Sequence, residues 1–323
     1  MIINSSFKPA WWLSNAHLQT ILAKYFRKHQ RIALHKSSLE TPDDDFIDLA
    51  WTELPERNSA KPIVVVLHGL EGSADSHYAK GMLTAIKNAG WIGVLMHFRG
   101  CSGRPNRHGR SYHSGDTRDI NFLSNWLQNL YPQAPKAAVG FSLGGNVLTR
   151  YLAEHQDHPY QAATVICAPL DLTSCSRRIA KGSSRIYQKY LVDMLKASTL
   201  VKVEQQLLPE INPSRLEKVK ELWDFDHMVT APVNGFASAE DYYQRASGKP
   251  VMAKINVPCL FIHAADDPFL DHQHIVPDQP LPEHIDFEIS EKGGHVGFIA
   301  GKNPLNPIYW LEQRAPAYLS QFL

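Results

Sequence analysis

Residues 136–149 read Lys-Ala-Ala-Val-Gly-Phe-Ser-Leu-Gly-Gly-Asn-Val-Leu-Thr. A short apolar run ends in the pattern Gly-x-Ser-x-Gly at residues 140–144, and a helix-compatible segment follows it directly. A sharp turn between a strand and a helix is the context in which this pattern presents a nucleophile, the so-called nucleophile elbow. We therefore predict that Ser142 is a nucleophile with a strained backbone. Gly140 and Gly144 lack the Cβ atoms that would otherwise collide across the bend.

Strands and helices alternate on both sides of this turn. Continuous apolar runs predict buried strands, and apolar residues at helical spacing predict the helices between them. This alternation is typical of an α/β fold with a mainly parallel, doubly wound sheet flanked by helices. The predicted strands are 63–67, 91–98, 137–141, 162–167, 259–263 and 285–289, with antiparallel edge strands at 31–35 and 46–52. The predicted helices are 78–88, 116–130 with Asp116 as N-cap, 144–154 and 307–322.

The segment 170–250 interrupts this alternation. It is rich in Lys, Glu, Gln and Leu, shows helical spacing at 186–195 and 201–208, and carries no strand signal. A helical excursion between two strands predicts a mainly helical cap or lid insertion over the sheet edge, and the alternative is a helical decoration without contact to the site. We expect 1–169 and 251–323 to form the core, with an N-terminal arm at about 1–30.

The composition narrows the classes of protein to consider. The 323 residues are 44% hydrophobic, which allows a substantial core, and the net charge of +1 gives no broad attraction to nucleic acid. The four cysteines and the histidines are scattered, without the spacing of a metal site. The sequence shows neither a secretory signal nor an apolar window of the roughly 18 residues that a membrane span needs. We expect a cytoplasmic enzyme without a transmembrane segment, metal or organic cofactor.

Two later strand ends carry candidate partners for Ser142. A serine hydroxyl needs a base to remove its proton, and that base needs a third group to orient it. Residues 264–268 read Ala-Ala-Asp-Asp-Pro, and residues 291–298 read Glu-Lys-Gly-Gly-His-Val-Gly-Phe. Because the carboxyl ends of parallel strands meet at one edge, we predict His295 as general base and Asp267 as the orienting acid. Asp266 is the alternative acid.

An acyl-transfer site also needs N–H donors that point at the oxyanion of the tetrahedral intermediate. The backbone N–H of Leu143, directly after the nucleophile, is the first candidate for this oxyanion hole. The second is the N–H of Leu70 in the loop that follows the strand 63–67, where Gly69 leaves the backbone room to turn. We expect His68 to shape this loop by hydrogen bonding, although it could also be a simple strand-end residue.

Longer motifs surround these candidates. They are Pro9-Ala-Trp-Trp-Leu13, His17-Leu-Gln-Thr20, Asp44-Asp-Phe-Ile-Asp-Leu49, His68-Gly-Leu-Glu-Gly72, Arg99-Gly-Cys-Ser-Gly103, Tyr112-His-Ser-Gly-Asp-Thr-Arg-Asp119, Phe225-Asp226, Gly235-Phe236 and Asp241-Tyr-Tyr243. With the chain order serine, aspartate, histidine, this set resembles the YheT-like branch of the α/β-hydrolases, from about Phe7 to the last helix. The segments 17–20 and 112–119 have no evident chemical role, and we expect them to lock the N-terminal arm and a loop against the core.

The resemblance implies an α/β-hydrolase core with a helical cap and a catalytic triad of Ser142, Asp267 and His295. The branch includes carboxylesterases and phospholipid-handling relatives, some of them membrane-anchored, and the hydrophobic N-terminal anchor of those relatives is not evident in this sequence. We expect a serine esterase that acts on a small-molecule ester, including a lipid-like one, with a short- to medium-chain acyl group. Alternatives are a thioesterase or acyltransferase on the same triad, or a catalytically silent binding protein of the same fold.

Overall fold

A nine-stranded sheet forms the centre of the protein, whose computed structural model describes residues 1–27, 31–277 and 280–323. The strand order across the sheet is β1-β9-β8-β7-β6-β4-β5-β3-β2. The pairs β2–β3 and β3–β5 are antiparallel, and the other neighbours are parallel. The strands are β1 Ile2–Asn4, β2 His35–Glu40, β3 Phe46–Trp51, β4 Ile63–Leu67, β5 Ile92–Met96, β6 Lys136–Phe141, β7 Tyr160–Ile166, β8 Cys259–Ala264 and β9 Ile285–Ser290. The predicted mainly parallel, doubly wound sheet is confirmed.

Helices cover both faces of this sheet, because its central strands are apolar on both sides. In β4 every residue is buried. Val65 packs in the same hydrophobic cluster as the helix residues Ile120 and Val147, whereas Val64 packs in the cluster of the helix residue Met82. Alternate residues of a strand point to opposite faces, so one strand serves two cores. The helices of the core are α1 Ala16–Phe26, α2 His77–Asn88, α3 Arg118–Leu130, α4 Leu143–Glu154, α11 His272–Ile275 and α12 Leu311–Leu319.

The residues between β7 and β8 form what we call the helical insertion, residues 167–258. It contains α5 Leu172–Ile179, α6 Arg185–Glu204, α7 Pro213–Glu217, α8 Leu222–Phe225, α9 Ala231–Val233 and α10 Ala239–Ala246. A π-helical turn, Asp226–Thr230, joins α8 to α9, and 3₁₀ turns lie at Gly182–Ser184 and Met252–Lys254. The window of helical spacing at 186–195 and the first half of the window at 201–208 belong to a single helix, α6, which ends at Glu204. Residues 205–208 lie beyond its end.

The predicted edge strand at 31–35 is wrong in position. The structure places β2 at His35–Glu40, paired with β3 so that Glu40 faces Phe46. The tight turn between them is closed by hydrogen bonds from the N–H of Thr41 to the carbonyl oxygen of Asp45 and from the N–H of Asp44 to that of Thr41, so the strand runs directly up to this turn. The short parallel strand β1, which pairs with β9 at the other edge, was not predicted.

Two helix ends also differ from the predictions. Thr117, not Asp116, occupies the N-cap position of α3, but its side chain makes no capping hydrogen bond. The Asp116 carboxylate, one residue earlier, accepts from the backbone N–H of Arg118 at 3.3 Å and from Arg118 Nε at 3.0 Å, and also pairs with Arg110. At the C-terminus α12 is shorter than 307–322, because Ile308–Tyr309 (β11) pairs with Ile299–Ala300 (β10) in a small second sheet.

A buried arginine fixes the loop that follows β5. Arg99 donates from Nε and Nη2 to both oxygens of Asp119, at 2.8 and 2.7 Å. Its Nη1 donates to Asp43 Oδ2 at 2.7 Å and to Asp45 Oδ2 at 3.1 Å. The Arg99 guanidinium holds the pKa of the Asp43 carboxyl well below its usual range. The network therefore joins the edge strands to the start of α3. Separately, no helix in the described ranges is long and apolar enough to cross a membrane.

Candidate active site

Ser142 lies at the tight turn between β6 and α4 in a strained backbone conformation, with φ 49° and ψ −122°. A Cβ atom on Gly140 would lie 2.6 Å from the carbonyl oxygen of Gly144, directly across the bend. A Cβ atom on Gly144 would instead lie 2.7 Å from the carbonyl oxygen of Leu67 at the end of β4. Gly140 thus permits the turn as expected, while Gly144 permits the close approach of α4 to the neighbouring strand.

His295 contacts both predicted partners. Its Nε2 lies 3.0 Å from Ser142 Oγ, and its Nδ1 lies 2.8 Å from Asp267 Oδ2. Asp267 is buried, and its Oδ1 accepts a hydrogen bond from the N–H of Phe269 at 2.8 Å. Because a carboxylate only accepts hydrogen bonds, Nδ1 carries the proton, which leaves the Nε2 lone pair for the serine hydroxyl. The structure brings the three side chains into one hydrogen-bonded row.

Asp266 makes a different contact. Its Oδ1 accepts a hydrogen bond from the N–H of Gly294 at 2.9 Å, so this carboxylate supports the backbone of the loop that carries His295. Burial raises the pKa of Asp266. The two adjacent aspartates therefore have different contacts: Asp267 binds the imidazole of His295, and Asp266 binds the backbone of the loop that carries it.

Helix α1 holds the histidine loop from outside the sheet. Thr20 Oγ1 accepts a hydrogen bond from the N–H of His295 at 2.9 Å. The buried Gln19 amide donates to the carbonyl oxygens of Leu13 and Ile299, at 2.7 and 2.9 Å, and accepts from the N–H of Ile299 at 2.6 Å. The sequence alone suggests no chemical role for the segment 17–20 beyond locking the N-terminal arm against the core, and in the structure these hydrogen bonds also hold the loop that carries His295.

The first residue of this segment connects α1 to the helical insertion. His17 Nδ1 lies 3.1 Å from Tyr187 Oη, and its Nε2 lies 2.9 Å from Ser183 Oγ. Tyr187 packs edge-on against Phe269 at 4.9 Å, and Phe269 lies against the His295 ring at 4.0 Å between centroids. An aromatic wall therefore runs from the N-terminal arm to the imidazole and shields it on one side.

The two predicted oxyanion donors lie near the serine. Leu143 begins α4, whose N-terminus carries the positive end of the helix dipole. The loop of Leu70 touches the nucleophile, since a Cβ atom on Gly69 would lie 3.3 Å from Ser142 Cβ. Within the described ranges neither the Leu143 N–H nor the Leu70 N–H donates a hydrogen bond to another protein atom. Both donors are therefore available to a ligand.

His68 shapes the loop that carries Leu70. Its Nδ1 donates to the carbonyl oxygen of Gly69 at 2.7 Å, and its Nε2 accepts from the N–H of Phe98 at 3.0 Å. Burial lowers the pKa of His68 to about 3, so the ring stays neutral and can serve as donor and acceptor at once. Tyr78 Oη accepts from the N–H of Gly69 at 2.8 Å and completes the support.

Glu71, in the same loop, was not predicted as a site residue. Its backbone has φ 50°, and its N–H donates to Tyr112 Oη at 2.7 Å, while that hydroxyl donates to Glu71 Oε1 at 2.8 Å. Ser198 Oγ of α6 donates to the other carboxylate oxygen. Burial raises the pKa of Glu71. Glu71 therefore ties the loop of Leu70 to the helical insertion, and Tyr112 gives the segment 112–119 one of its roles.

A second role of that segment is to join α4 to the insertion. Asn146 Nδ2 donates to the carbonyl oxygens of Ser114 and Ala246, at 2.7 and 2.8 Å, and its Oδ1 accepts from the N–H of Gly248 at 2.8 Å. Tyr242 Oη accepts from the N–H of Ser114 at 3.0 Å. All polar atoms of the Asn146 amide are thus used one turn after the nucleophile, where they fix the insertion against α4.

Cys167, the residue after β7, lies against the His295–Asp267 pair. Its Sγ, a ligand atom of Asp267 and one of His295 lie within 4.8 Å of one another, the one group of three potential metal ligands in the described part of the chain. Burial raises the pKa of the Cys167 thiol well above its usual range, and its Sγ already accepts the N–H of Val296 at 3.4 Å. Since the carboxylate also already binds the imidazole, these residues do not fit a metal centre.

A cavity of about 590 Å³ opens onto Ser142 and His295. Its walls come from α1, from the loop of Leu70 and from the helical insertion, including Leu191 and Val229. The volume lies within the range of roughly 300–1,000 Å³ that is typical of small-molecule sites. The serine, the imidazole and both free N–H groups therefore lie at a cavity that a small molecule can fill.

Comparison with known proteins gives consistent matches. The family described as "alpha/beta hydrolase fold" matches residues 62–302. The chain is 47% identical to the Escherichia coli (strain K12) protein named "Putative esterase YheT", over 99% of this chain and 94% of that one. It is 24% identical to Phospholipase ABHD3 of Homo sapiens, over 95% and 77% of the two chains. The esterase Pf2001 of Pyrococcus furiosus has a similar fold, with a TM-score of 0.56 at 14% identity over 91% and 95% of the chains.

Proposed function

Because the chain belongs to the α/β-hydrolase family, we propose that it is a serine hydrolase that cleaves carboxylic esters through an acyl-enzyme. The observation that carries this proposal is the continuous hydrogen-bonded row Ser142–His295–Asp267. A nucleophile, a base with a free Nε2 lone pair and a buried carboxylate are the parts that acyl transfer needs. The names of the similar proteins, an esterase and a phospholipase, point to the same class of substrate.

The proposed reaction begins with proton transfer from Ser142 Oγ to His295 Nε2. The oxygen attacks the ester carbonyl, and Asp267 stabilises the imidazolium that forms and keeps its Nδ1–H in place. Protonated His295 then gives its proton to the leaving alcohol, which departs and leaves the acyl group on Ser142. Water enters, loses a proton to the same Nε2 and attacks the acyl carbonyl. The bond between the acyl carbon and Ser142 Oγ then breaks, Oγ takes the proton back from His295, and the acid leaves.

The N–H groups of Leu143 and Leu70 are the proposed oxyanion hole. Their support is that Leu143 follows Ser142 directly, that Gly69 in the loop of Leu70 lies against Ser142, and that neither N–H is used by another protein atom in the described ranges. Losing one such donor typically costs about 10²- to 10³-fold in kcat. Because Glu71 follows Leu70 and binds Ser198 of the insertion, we propose that the insertion is a cap whose placement also sets this donor.

The cavity supports a short- to medium-chain acyl group or a lipid-like ester of similar size. Its walls are mostly apolar, and apolar burial favours binding of an acyl chain at about 25 cal/mol per Å² of area. We also propose a cytoplasmic location, supported by the four free cysteines, because thiols persist in a reducing compartment.

The test is hydrolysis of p-nitrophenyl esters from acetate to laurate by the wild-type protein and by Ser142→Ala. We expect a measurable kcat/KM with an optimum at short or medium chains, and a loss of at least about 10³-fold in the variant. Ser111→Ala, in the same cavity but bonded to Lys202, is the matched control and should keep its activity. Equal activity of wild type and Ser142→Ala would refute the proposal. Faster turnover of thioesters would instead identify a thioesterase, and acyl transfer to added alcohols would identify an acyltransferase. Both outcomes would leave the assignment of the triad unchanged.

A further inference from the structure

A carboxylate lies in the wall of the cavity and takes no part in the proposed reaction. Asp226 begins the π-helical turn Asp226–Thr230 of the helical insertion and lines the cavity that contains Ser142. Its Oδ1 accepts a hydrogen bond from Thr230 Oγ1 at 2.6 Å, and its Oδ2 accepts from Tyr243 Oη at 2.6 Å. Two hydroxyls therefore hold the carboxylate in one orientation and leave it further acceptor capacity, since a carboxylate can take about four hydrogen bonds.

No cation balances this charge within the described ranges, where neither an ion pair nor a charged neighbour of Asp226 is found. Burial raises the pKa of Asp226 to about 6. Apart from the two hydroxyls that bind it, its neighbours along the chain in this wall include the apolar Leu222, Phe225 and Val229. An unbalanced carboxylate in such a place costs stability, and departures of this kind from the usual rules of burial are typical of functional sites.

A second unused acceptor lies on the same turn. Asn234 Nδ2 donates to the carbonyl oxygen of Thr230 at 2.9 Å, and Thr230 is also the residue whose hydroxyl orients Asp226. The Oδ1 atom of Asn234 is buried and has no hydrogen-bond partner in the described part of the chain, although the residue lines the cavity. A π-helical turn often marks a functional position, because it displaces side chains from the regular helix surface.

We propose that Asp226 and Asn234 form a polar subsite that binds a hydrogen-bond donor, a hydroxyl or an ammonium group, on the far end of an otherwise apolar substrate. Both free atoms are acceptors, so the complementary group must donate. The subsite rests on the proposed function only in that the ligand is the ester substrate. It selects among substrates and does not touch the reacting atoms.

The test compares ligands that differ only in the terminal group. A length series of α,ω-alkanediols, ω-amino alcohols and plain n-alcohols is titrated by calorimetry and as competitive inhibitors of p-nitrophenyl butyrate hydrolysis. At some chain length we expect the wild-type protein to bind the diol or the amino alcohol about 10-fold or more tightly than the n-alcohol, the effect of a hydrogen bond to a charged group. The diol and the amino alcohol distinguish a hydroxyl from an ammonium ligand.

The variants assign this preference to the subsite. Asp226→Asn keeps the shape but loses the charge, and Asn234→Leu removes the free oxygen, so each should reduce the preference to less than about 3-fold. Asp224→Asn, an exposed aspartate two positions away, is the matched control and should keep it. A wild-type protein that binds all three ligand classes equally, or a preference that survives in Asp226→Asn, would overturn the subsite. If the wild-type protein did not hydrolyse esters but still preferred the diol or the amino alcohol in calorimetry, only the proposed function would be refuted.

Discussion

Replacing Asp267 by Asn should nearly abolish ester hydrolysis. The Asn amide keeps an oxygen that can accept from Phe269 N–H, so its NH₂ group would face His295 Nδ1, where the carboxylate oxygen lies at 2.8 Å. A donor at that place forces the ring proton onto Nε2, and Nε2 then cannot take the Ser142 proton, 3.0 Å away. The same change in serine hydrolases lowers kcat about 10⁴-fold, which corresponds to about 5.5 kcal/mol of transition-state stabilisation.

Asp266→Asn provides a matched comparison one residue away. The Asn side chain retains an oxygen that can accept from the N–H of Gly294, so the histidine loop keeps its support and kcat should fall by less than about 10-fold. The assay is kcat for p-nitrophenyl butyrate, with circular dichroism and thermal melts to show that both variants are folded. A folded Asp267→Asn variant with near wild-type kcat, or a larger loss in Asp266→Asn, would refute this assignment of the two aspartates.

Three further changes test other parts of the structure. Thr20→Val removes the acceptor of the His295 N–H, so kcat should fall about 10-fold with KM unchanged, and an unchanged kcat would contradict the clamp. Asp226→Asn should raise the free energy of unfolding at neutral pH. The pKa of Asp226 is about 6 in the folded protein and 3.8 in its usual environment, so the wild-type protein loses stability as the pH rises from about 4 through 6 and the carboxyl group ionises, whereas the Asn variant does not. Urea unfolding should show this gain growing by about 1–3 kcal/mol from about pH 4 to pH 7, and a gain independent of pH would contradict it. Arg99→Met leaves Asp119 buried without its cation, and urea unfolding should show a loss of about 3–5 kcal/mol, whereas a loss below about 1 kcal/mol would mean that the network is dispensable.

The parts of the site that sequence can predict are those with a local signature. Ser142 lies in a five-residue turn pattern, and His295 lies in a glycine-flanked loop after a strand, so short windows suffice to find them. Parallel strands such as β4 can also be predicted from the sequence, because a strand that is buried on both faces requires a continuous apolar run. Asp266 and Asp267 are not separable in this way, since both follow the same strand end and only the orientation of each side chain decides which one reaches the imidazole.

The remaining site residues act through contacts between distant parts of the chain. Thr20 and His295 are 275 positions apart, and Glu71 and Ser198 are 127 apart. Neither a periodicity nor a turn pattern predicts a contact between residues so far apart. The resemblance to a family therefore includes the segment 17–20 but does not indicate that it contacts His295. Asp226 is likewise visible in the sequence only as part of the motif Phe225-Asp226, because its place in the cavity wall depends on how the helical insertion folds over the core.

Covalent labelling of the wild-type protein with a fluorophosphonate tests the central claim most directly. The probe reacts with a serine that has an activated hydroxyl, and peptide mass mapping identifies the modified residue. We expect one label per chain, on the peptide that contains Ser142, and none in Ser142→Ala. Labelling at another residue, or its absence in folded wild-type protein, would contradict the assignment of Ser142 as the nucleophile.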